Sequence, residues 1–296
     1  MIFRELRLNG VNRAVTTCEG PAGKSVNVAK VLKALGEAPV AVGFLGGARG
    51  EQLHRQLQAR EMALDFVTVG AETRLCVTII DESSGSVTEL VEEGRTVTAV
   101  DYDRLDTCIR RHIGGCRAMV LSGTVASGGP ADFISRYVAL ARETGLITVV
   151  DAQGMALNDA LKGQPTLVKP NRSELAATVG HELPDETAVL AAMRQLHTRG
   201  ARQVVVTAGK DPVLAYDGNH GWRIRPPEIA AVNPIGAGDA FTAGLVWRLV
   251  CGDELGQACR WGAAAGAASA LTSLAGELKR SDVEELAAQV VVERLP

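Results

Sequence analysis

The sequence predicts an α/β fold in which helices flank a doubly wound, mostly parallel sheet. First, apolar segments of strand length alternate with segments of helical pattern along most of the 296 residues. Second, these short segments are apolar or β-branched on both faces, as expected of strands that helices cover on both sides. Third, 46% of the residues are hydrophobic, which is enough to build a large core.

The elements follow one another as βα units. The predicted strands are residues 40–45, 118–122, 146–151, 166–169 and 203–207. The predicted helices are residues 25–35, 131–143, 173–179 and 187–199. Ligands of such sheets bind beyond the carboxyl ends of the strands. We therefore expect the functional residues in the segments that follow the strands.

Two segments depart from this rhythm. Residues 5–11 and 74–91 alternate apolar and polar residues, and the Asp-Glu-Ser-Ser-Gly of residues 81–85 is typical of a hairpin turn. These segments predict a small antiparallel sheet outside the main one. Neither a long linker nor an internal repeat divides the chain, so we expect a single domain over residues 1–296.

Composition and charge argue against several classes of protein. The net charge is −3, Lys and Arg are dispersed, and only 4% of residues are aromatic, so we expect no nucleic-acid partner. The longest uncharged run near the end, residues 261–276, is short and rich in Ala and Gly, which predicts a buried helix and no membrane span. Six cysteines without a Cys-x-x-Cys pair predict reduced thiols in a cytoplasmic protein, with no structural metal.

The most informative segment is residues 233–244, a glycine-rich turn that leads into an apolar helix. Gly236 and Gly238 allow close approach of a ligand, and the N–H groups of Gly236, Ala237 and Gly238 would point at it. Such a helix start favours phosphate oxygens, and Asp239 beside it would accept a proton from an attacking hydroxyl. The alternative is a tight turn that Asp239 merely caps.

This segment resembles the C-terminal signature of the PfkB carbohydrate kinases, the ribokinase-like family, and further motifs follow in the same order along nearly the whole chain. The resemblance implies a ribokinase-like fold with a β lid, here residues 3–12 and 72–98. It also implies ATP and Mg²⁺ as cofactors and a small-molecule acceptor. In many relatives the lid also forms a dimer contact, so a homodimer is expected.

The segment around Gly23 invites two interpretations. A P-loop needs a glycine five positions before its Gly-Lys pair, where this chain has Cys18, so we reject a P-loop. The segment resembles instead the Gly-Gly-Lys-Gly-x-Asn-x-Ala signature of the PfkB family, which contacts the sugar. By this resemblance Gly23 and Lys24 contact the acceptor, and Asn27 binds its hydroxyls. Ser25 replaces the usual glycine, which puts activity or specificity in question.

Two further positions resemble the 1-phosphofructokinase and tagatose-6-phosphate kinase branch. Arg74, after Thr73, would give its guanidinium to a phosphate already on the substrate. Ser122 opens a loop like the Ser-Gly-Ser-Leu-Pro-x-Gly loop of that branch. The resemblance thus favours a sugar-phosphate acceptor: fructose 1-phosphate, fructose 6-phosphate or tagatose 6-phosphate. A kinase of an unphosphorylated sugar or nucleoside is the alternative.

Two motifs would hold the nucleotide and metal. Lys169 precedes an Asn-x-x-Glu motif formed by Asn171 and Glu174, which in the family orders Mg²⁺ and its waters near the ATP phosphates. The same spacing is also that of a helix capping box, and both roles are compatible. Thr207 and Gly209 resemble the nucleotide-contacting Thr-x-Gly loop of the family.

The start of the chain departs from the family pattern. Relatives usually begin with a strand that carries Asn-Pro-Ala-x-Asp, whereas residues 5–12 here resemble the lid segment that follows it. Either Met1 is an internal start or the chain lacks the usual first core strand. In the second case we expect weak or altered activity, since an edge would be exposed and a substrate ligand lost. A noncatalytic protein that binds a sugar or nucleotide is the rival from another class.

Overall fold

A computed structural model describes all of residues 1–296. The strands are β1 (Ile2–Phe3), β2 (Val40–Leu45), β3 (Ala63–Thr68), β4 (Cys76–Asp81), β5 (Ser86–Val91), β6 (Ala118–Ser122), β7 (Ile147–Asp151), β8 (Leu167–Val168), β9 (Gln203–Ala208), β10 (Asp211–Tyr216), β11 (Gly221–Arg225) and β12 (Val291–Leu295). The helices are α1 (Lys24–Ala34), α2 (Gly47–Gln58), α3 (Ala99–Ile113), α4 (Phe133–Glu143), α5 (Gly154–Lys162), α6 (Arg172–Val179), α7 (Glu186–Thr198), α8 (Ala237–Leu249), α9 (Leu255–Ala270) and α10 (Arg280–Ala287).

The main sheet has seven strands in the order β12-β11-β10-β9-β8-β7-β6. Strands β6 to β9 run parallel, as predicted. One or two helices connect each of these strands to the next along the chain. Strands β9 to β12 pair in antiparallel fashion and extend the sheet at one end. The prediction of an α/β fold with helices around a doubly wound sheet is confirmed, whereas the antiparallel extension was not foreseen.

The central strands are buried on both faces because helices cover both sides of the sheet. Val149 packs into the core cluster that includes α1, α8, α9 and α10, and its neighbour Val150 packs into the cluster that includes α4, α5, α6 and α7. Likewise, Val205 packs into the first of these clusters and Val204 into the second. Alternate side chains of a strand point to opposite faces, so a continuously apolar strand signals two covered faces.

Strand β2 does not join the main sheet. It pairs in parallel only with β3, in a separate two-stranded sheet, and β6 is an edge strand of the main sheet. Helix α1 contacts both β2 and β6, yet no strand of residues 1–296 lies between these two. Every residue of β6 is only half-buried as a result. The prediction that residues 40–45 form a central strand buried on both faces is therefore wrong in its placement, although the strand itself is present.

The small sheet outside the main one is partly as predicted. Strands β4 and β5 form an antiparallel hairpin whose turn follows Asp81, and β1 adds to β4 in parallel. Residues 5–11 form no strand, so that prediction is wrong. Asn12 instead closes a turn: its side chain accepts from the N–H of Arg7 and donates to the C=O of Arg7 (both 2.8 Å). Leu8 is 88% exposed, because the apolar residues of this segment have no surface to pack against.

Helix α9 begins six residues before the predicted apolar helix of 261–276 and is buried along most of its length. It packs closely on α8, where a Cβ on Gly244 would come within 2.6 Å of the carbonyl oxygen of Trp261. The absence of a side chain at Gly244 therefore sets the distance between the two helices. None of the helices combines the length and apolar composition that crossing a bilayer requires.

Candidate active site

Helix α8 begins with a tight turn whose backbone only glycine adopts easily. Gly236, the residue before the helix, has φ 83°, and a Cβ there would lie 2.7 Å from the Cβ of Ala275. The N–H groups of Gly236, Gly238 and Asp239 have no acceptor within the chain, whereas that of Ala237 donates to the C=O of Pro234 (3.2 Å). Three unpaired N–H groups at a helix start favour an anion.

Asp239 lies in the first turn of α8 and is only 6% exposed. Its carboxylate does not cap the turn. Oδ2 instead accepts a hydrogen bond from Nδ2 of Asn27 on α1 (2.8 Å), which contradicts the alternative of a simple capping residue. Burial raises the pKa of Asp239 to about 6, although the Asn27 hydrogen bond opposes the rise. The group is therefore poised to exchange a proton near neutral pH.

A second buried carboxylate, Asp151 at the end of β7, lies between two lysines. Its Oδ2 is 3.2 Å from Nζ of Lys169, which is also buried, and accepts from the hydroxyl of Thr242 on α8 (3.1 Å). Its Oδ1 is 3.3 Å from Nζ of Lys24. Burial would raise the pKa of Asp151, but Lys169 and Lys24 outweigh it and hold the pKa below its usual value. Asp151 at the end of β7 is thus joined to α1 and to the residue after β8 by charge, and to α8 by a hydrogen bond.

The start of α1 is held against the loop after β6. Gly23 precedes the helix with φ 128°, and the hydroxyl of Ser25 donates to the C=O of Ser122 (2.6 Å). The N–H of Gly123 donates to the C=O of Asp151 (3.1 Å), so the two strand ends meet. Ser25, the departure from the family motif, thus acts here as a link between the helix and the loop.

Asn171 and Glu174 form the capping box at the start of α6. The Asn171 side chain accepts from the N–H of Glu174 (2.8 Å), and Glu174 Oε2 accepts from the N–H of Asn171 (2.8 Å). The other Glu174 oxygen, Oε1, is 3.8 Å from Nζ of Lys24. Burial would lower the pKa of Lys24, but Asp151, Glu174 and Asp239 together raise it. Lys24 therefore stays charged among three carboxylates.

Comparisons with known proteins identify the family of this chain. A family model described as "pfkB family carbohydrate kinase" matches residues 2–281. The chain belongs to the pfkB family of carbohydrate kinases. It is 28% identical over 291 residues to the tagatose-6-phosphate kinase of Staphylococcus epidermidis, covering 97% of this chain and 93% of that one.

Solved structures of pfkB-type kinases have the same fold. Phosphofructokinase-2 from Escherichia coli in complex with substrates and products superimposes with a TM-score of 0.86 at 28% identity, covering 97% of this chain and 94% of that one. A protein described as a possible 1-phosphofructokinase from Thermotoga maritima gives a TM-score of 0.91 at 25% identity and covers 100% of this chain and 95% of that one. The resemblance inferred from the motifs is confirmed, as is the ribokinase-like fold.

The structure brings most of the predicted site residues of this pfkB kinase together. Lys24 contacts Glu174 and is joined to Lys169 through Asp151, and Asn27 is hydrogen-bonded to Asp239. The roles predicted for Asn27 and Lys169 stay predictions. Both side chains are almost fully buried, so a ligand reaches them only through a change in the surrounding side chains.

Other predicted residues lie outside this cluster. Arg74 is exposed, precedes β4 by two residues and has no hydrogen-bond partner. Thr207 lies next to Asn171, where its N–H donates to the C=O of Pro170 (3.3 Å), at the carboxyl end of β9. Gly209, with φ 63°, is exposed in the tight turn between β9 and β10.

Asp151 was not predicted as a site residue from the sequence. Its place at the end of a predicted strand, before Ala-Gln-Gly, was a signal, because strand ends of a parallel sheet meet at one edge. Only the fold shows that Asp151 faces Lys24 and Lys169, residues that lie far away along the chain.

The residues present fit a Mg²⁺ ion that is held through water. Glu174 offers one carboxylate oxygen outside the capping box, whereas the Asn171 side-chain oxygen already accepts from the N–H of Glu174 and the hydroxyl of Ser173 (2.7 Å). No group of three or more acidic, His or Cys side chains has metal-binding geometry. Mg²⁺ usually keeps several waters and needs only one or two carboxylates, so Glu174 is the fitting ligand.

Proposed function

We propose that this protein is an ATP-dependent kinase that transfers the γ-phosphoryl group to a hydroxyl of a sugar phosphate. Membership of the pfkB family and the names of the relatives support the kinase activity and the class of acceptor. The single observation that carries the mechanism is a buried carboxylate, Asp239, beside unpaired N–H groups at the same helix start. Phosphoryl transfer needs a group that receives the hydroxyl proton and donors that stabilise the transferring charge.

In the proposed step, Asp239 accepts the proton of the acceptor hydroxyl while the hydroxyl oxygen attacks the γ-phosphorus. A new O–P bond forms, the bond from the γ-phosphorus to the bridging oxygen breaks, and ADP leaves with the electron pair. The N–H groups of Gly236 and Gly238 stabilise the negative charge of the phosphoryl oxygens. Ala237, which donates to Pro234, contributes less than the sequence suggested.

Glu174 would serve the nucleotide side of the reaction, whereas Lys24 would contact the phosphorylated acceptor. Lys24 lies between Asp151 and Glu174 with its side chain 42% exposed, so its ammonium is accessible to a phosphate. When bound, Mg²⁺ neutralises charge on the β- and γ-phosphates, and Glu174 would hold its waters. Removal of divalent cation with EDTA should abolish turnover, and added Mg²⁺ should restore it.

Two variants and an acceptor panel test the proposed reaction. ATP consumption is measured with fructose 1-phosphate, fructose 6-phosphate, tagatose 6-phosphate, free fructose, ribose and a nucleoside. We expect turnover on one phosphorylated hexose, its loss by at least about 1000-fold in Asp239→Asn, and retained ATP binding. Asp103→Asn, an exposed carboxylate on α3, is the control. Substantial activity in Asp239→Asn would refute the role of the base, and silence of the folded wild type across the panel would favour the noncatalytic rival.

The preference for a phosphorylated acceptor rests on Arg74 and on the relatives. An exposed guanidinium without a partner is free to bind a phosphate in a bidentate manner. Arg74→Ala should raise KM for sugar phosphates and leave KM for ATP unchanged. Arg202→Ala, an exposed arginine at the opposite, amino end of β9, is the matched control. An equal effect on free sugars would support the rival kinase of unphosphorylated acceptors.

We also propose a homodimer through the lid. Leu75, Leu90 and Val91 on and beside the β4–β5 hairpin are about half exposed, an apolar surface that a second copy would cover. Light scattering should give the mass of a dimer, and Leu90→Asp should convert it to a monomer. A monomeric wild type at micromolar concentration would contradict this proposal.

A further inference from the structure

Asn27 is placed to act on Asp239 from the opposite side of the site. Its side chain is 4% exposed, and Nδ2 donates to Asp239 Oδ2 (2.8 Å) across a separation of 212 residues. No other hydrogen bond reaches the Asp239 carboxylate within the chain. One amide therefore determines how the carboxylate is rotated.

The Asn27 side chain is itself held in place. The turn at Gly276 lies directly on it, because a Cβ built on Gly276 would come within 2.9 Å of both Cα and Cβ of Asn27. One helical turn further along α1, Lys30 donates to the C=O of Pro21 (3.0 Å) and of Ala275 (2.7 Å), which ties the helix to the same turn. The amide thus has little freedom to rotate away from Asp239.

The other end of the amide is left without a partner. Oδ1 of Asn27 is buried and accepts no hydrogen bond, which is an unfavourable state for a polar atom, of the order of 1–3 kcal/mol. A carboxylate can only accept, so the amide must present Nδ2 to it and leave Oδ1 unpaired. A polar side chain kept at this position despite that penalty is expected to serve the carboxylate.

We propose that Asn27 is a positioning residue for Asp239: its N–H holds Oδ2 and leaves Oδ1 of Asp239 as the oxygen that receives the acceptor proton. The inference rests on the proposed function, in which Asp239 is the base. The contact of Asn27 with sugar hydroxyls that the sequence analysis expects stays a separate prediction.

The hydrogen bond also sets the pH range in which Asp239 is ionised. A donor stabilises the ionised form and opposes the rise in pKa that burial causes. Other charged groups act on Asp239 from the elements packed against it: Lys24 and Lys30 on α1, Asp151 at the end of β7, and Lys169 after β8. Since those groups stay in place when Asn27 is replaced, a change in the pKa of Asp239 reports on the lost hydrogen bond.

The test compares Asn27→Leu, which keeps similar volume without a donor, with Val28→Ala, which loosens the same helix but touches no carboxylate. For Asn27→Leu we expect kcat to fall roughly 10- to 100-fold at optimal pH, the acid limb of the kcat profile to move to higher pH, and the KM for ATP to change little. Val28→Ala should leave the acid limb in place. If Asn27→Leu does not fold, as judged by circular dichroism, Asn27→Ala takes its place.

A titration independent of activity separates this inference from the proposed function. The Asp239 carboxyl signal is identified in aspartate-labelled protein by its absence in Asp239→Asn, and its pKa is measured by NMR. A higher pKa in the Asn27 variant supports the inference. An unchanged pKa, or a rise in acceptor KM with unchanged kcat, would overturn it. If the wild type is inactive but the carboxyl pKa of Asp239 is higher in the Asn27 variant than in the wild type, the hydrogen bond is confirmed. The proposed function, and with it the proton-transfer role of Asp239, would then be overturned.

Discussion

Replacing Asp239 by Asn should stabilise the protein while it removes the reaction. Folding buries this carboxylate, and its pKa rises from 3.8 to about 6. An acid whose pKa rises on folding disfavours the folded state wherever it is ionised. Asn at this position carries no charge and still accepts the hydrogen bond from Asn27, so the substitution isolates the effect of the charge.

The size of the effect follows from the shift in pKa. A shift of about two units corresponds to about 3 kcal/mol, which applies in full above pH 6 and disappears below about pH 4. We therefore expect Asp239→Asn to increase the free energy of unfolding by about 2–3 kcal/mol at pH 7 and by roughly half as much at pH 5. The sign is opposite to that of an ordinary paired carboxylate, which stabilises the folded state more as pH rises.

Urea unfolding of the wild type and of Asp239→Asn at pH 5 and pH 7 measures this difference, with Asp103→Asn as the control for loss of a surface charge. At pH 5 Asp151 stays ionised, because its pKa is held low, so the change with pH in the difference between variant and wild type reports on Asp239. If Asp239→Asn does not increase the free energy of unfolding, or increases it equally at both pH values, the reasoning that burial raises the pKa of Asp239 is refuted.

Three further predictions follow from neighbouring groups. Asp151→Asn leaves the buried Lys169 ammonium without its counter-charge and should lower the free energy of unfolding, measured by urea titration, by roughly 3–5 kcal/mol. The double variant with Lys169→Met should recover most of this loss. An unaltered stability of the single variant would refute the pairing. The kcat/KM of the wild type, which reports the ionisation of the free enzyme, should fall as pH drops through about 6, the pKa of Asp239, and a kcat/KM unchanged down to pH 5 would exclude it as base. Gly236→Ala should lower both melting temperature and kcat, since φ is 83° and the new Cβ meets Ala275 at 2.7 Å; a wild-type melting curve would show that the turn relaxes.

Local patterns predicted the elements that have strong local causes. The predicted strands at 118–122 and 203–207 have apolar residues at their central positions and match the observed strands to within one residue, because helices on both sides of a sheet favour apolar residues on both faces of a strand. The capping box of Asn171 and Glu174 was read from its spacing, since both hydrogen bonds lie within one helical turn. The glycine turn before α8 was found for the same reason, because a positive φ restricts the residue type locally.

Other features had no local cause and were missed or misplaced. Residues 5–11 alternate like a strand, yet no partner surface covers them, so they form a turn around Asn12. The pairing of β2 with β3 alone depends on which strand lies beside which, and a strand's own residues do not encode its neighbour. Strand β12 was not foreseen because its pairing with β11 joins residues about 70 positions apart, such as Gly221 and Leu295. Strands β10 and β11 were missed although β10 pairs with its neighbours along the chain, β9 and β11.

By itself the sequence determined the fold class, the family and the residue types available for chemistry, because periodicity, turns and motif spacing are properties of short segments. Only the tertiary structure decided that Asp239 is buried against Asn27 and that Asp151 lies between Lys24 and Lys169. Burial and the approach of charges from distant segments set the pKa of a carboxylate, and both exist only after the chain has folded. For the same physical reason, only the folded structure shows Asn27 as a partner of the proposed base.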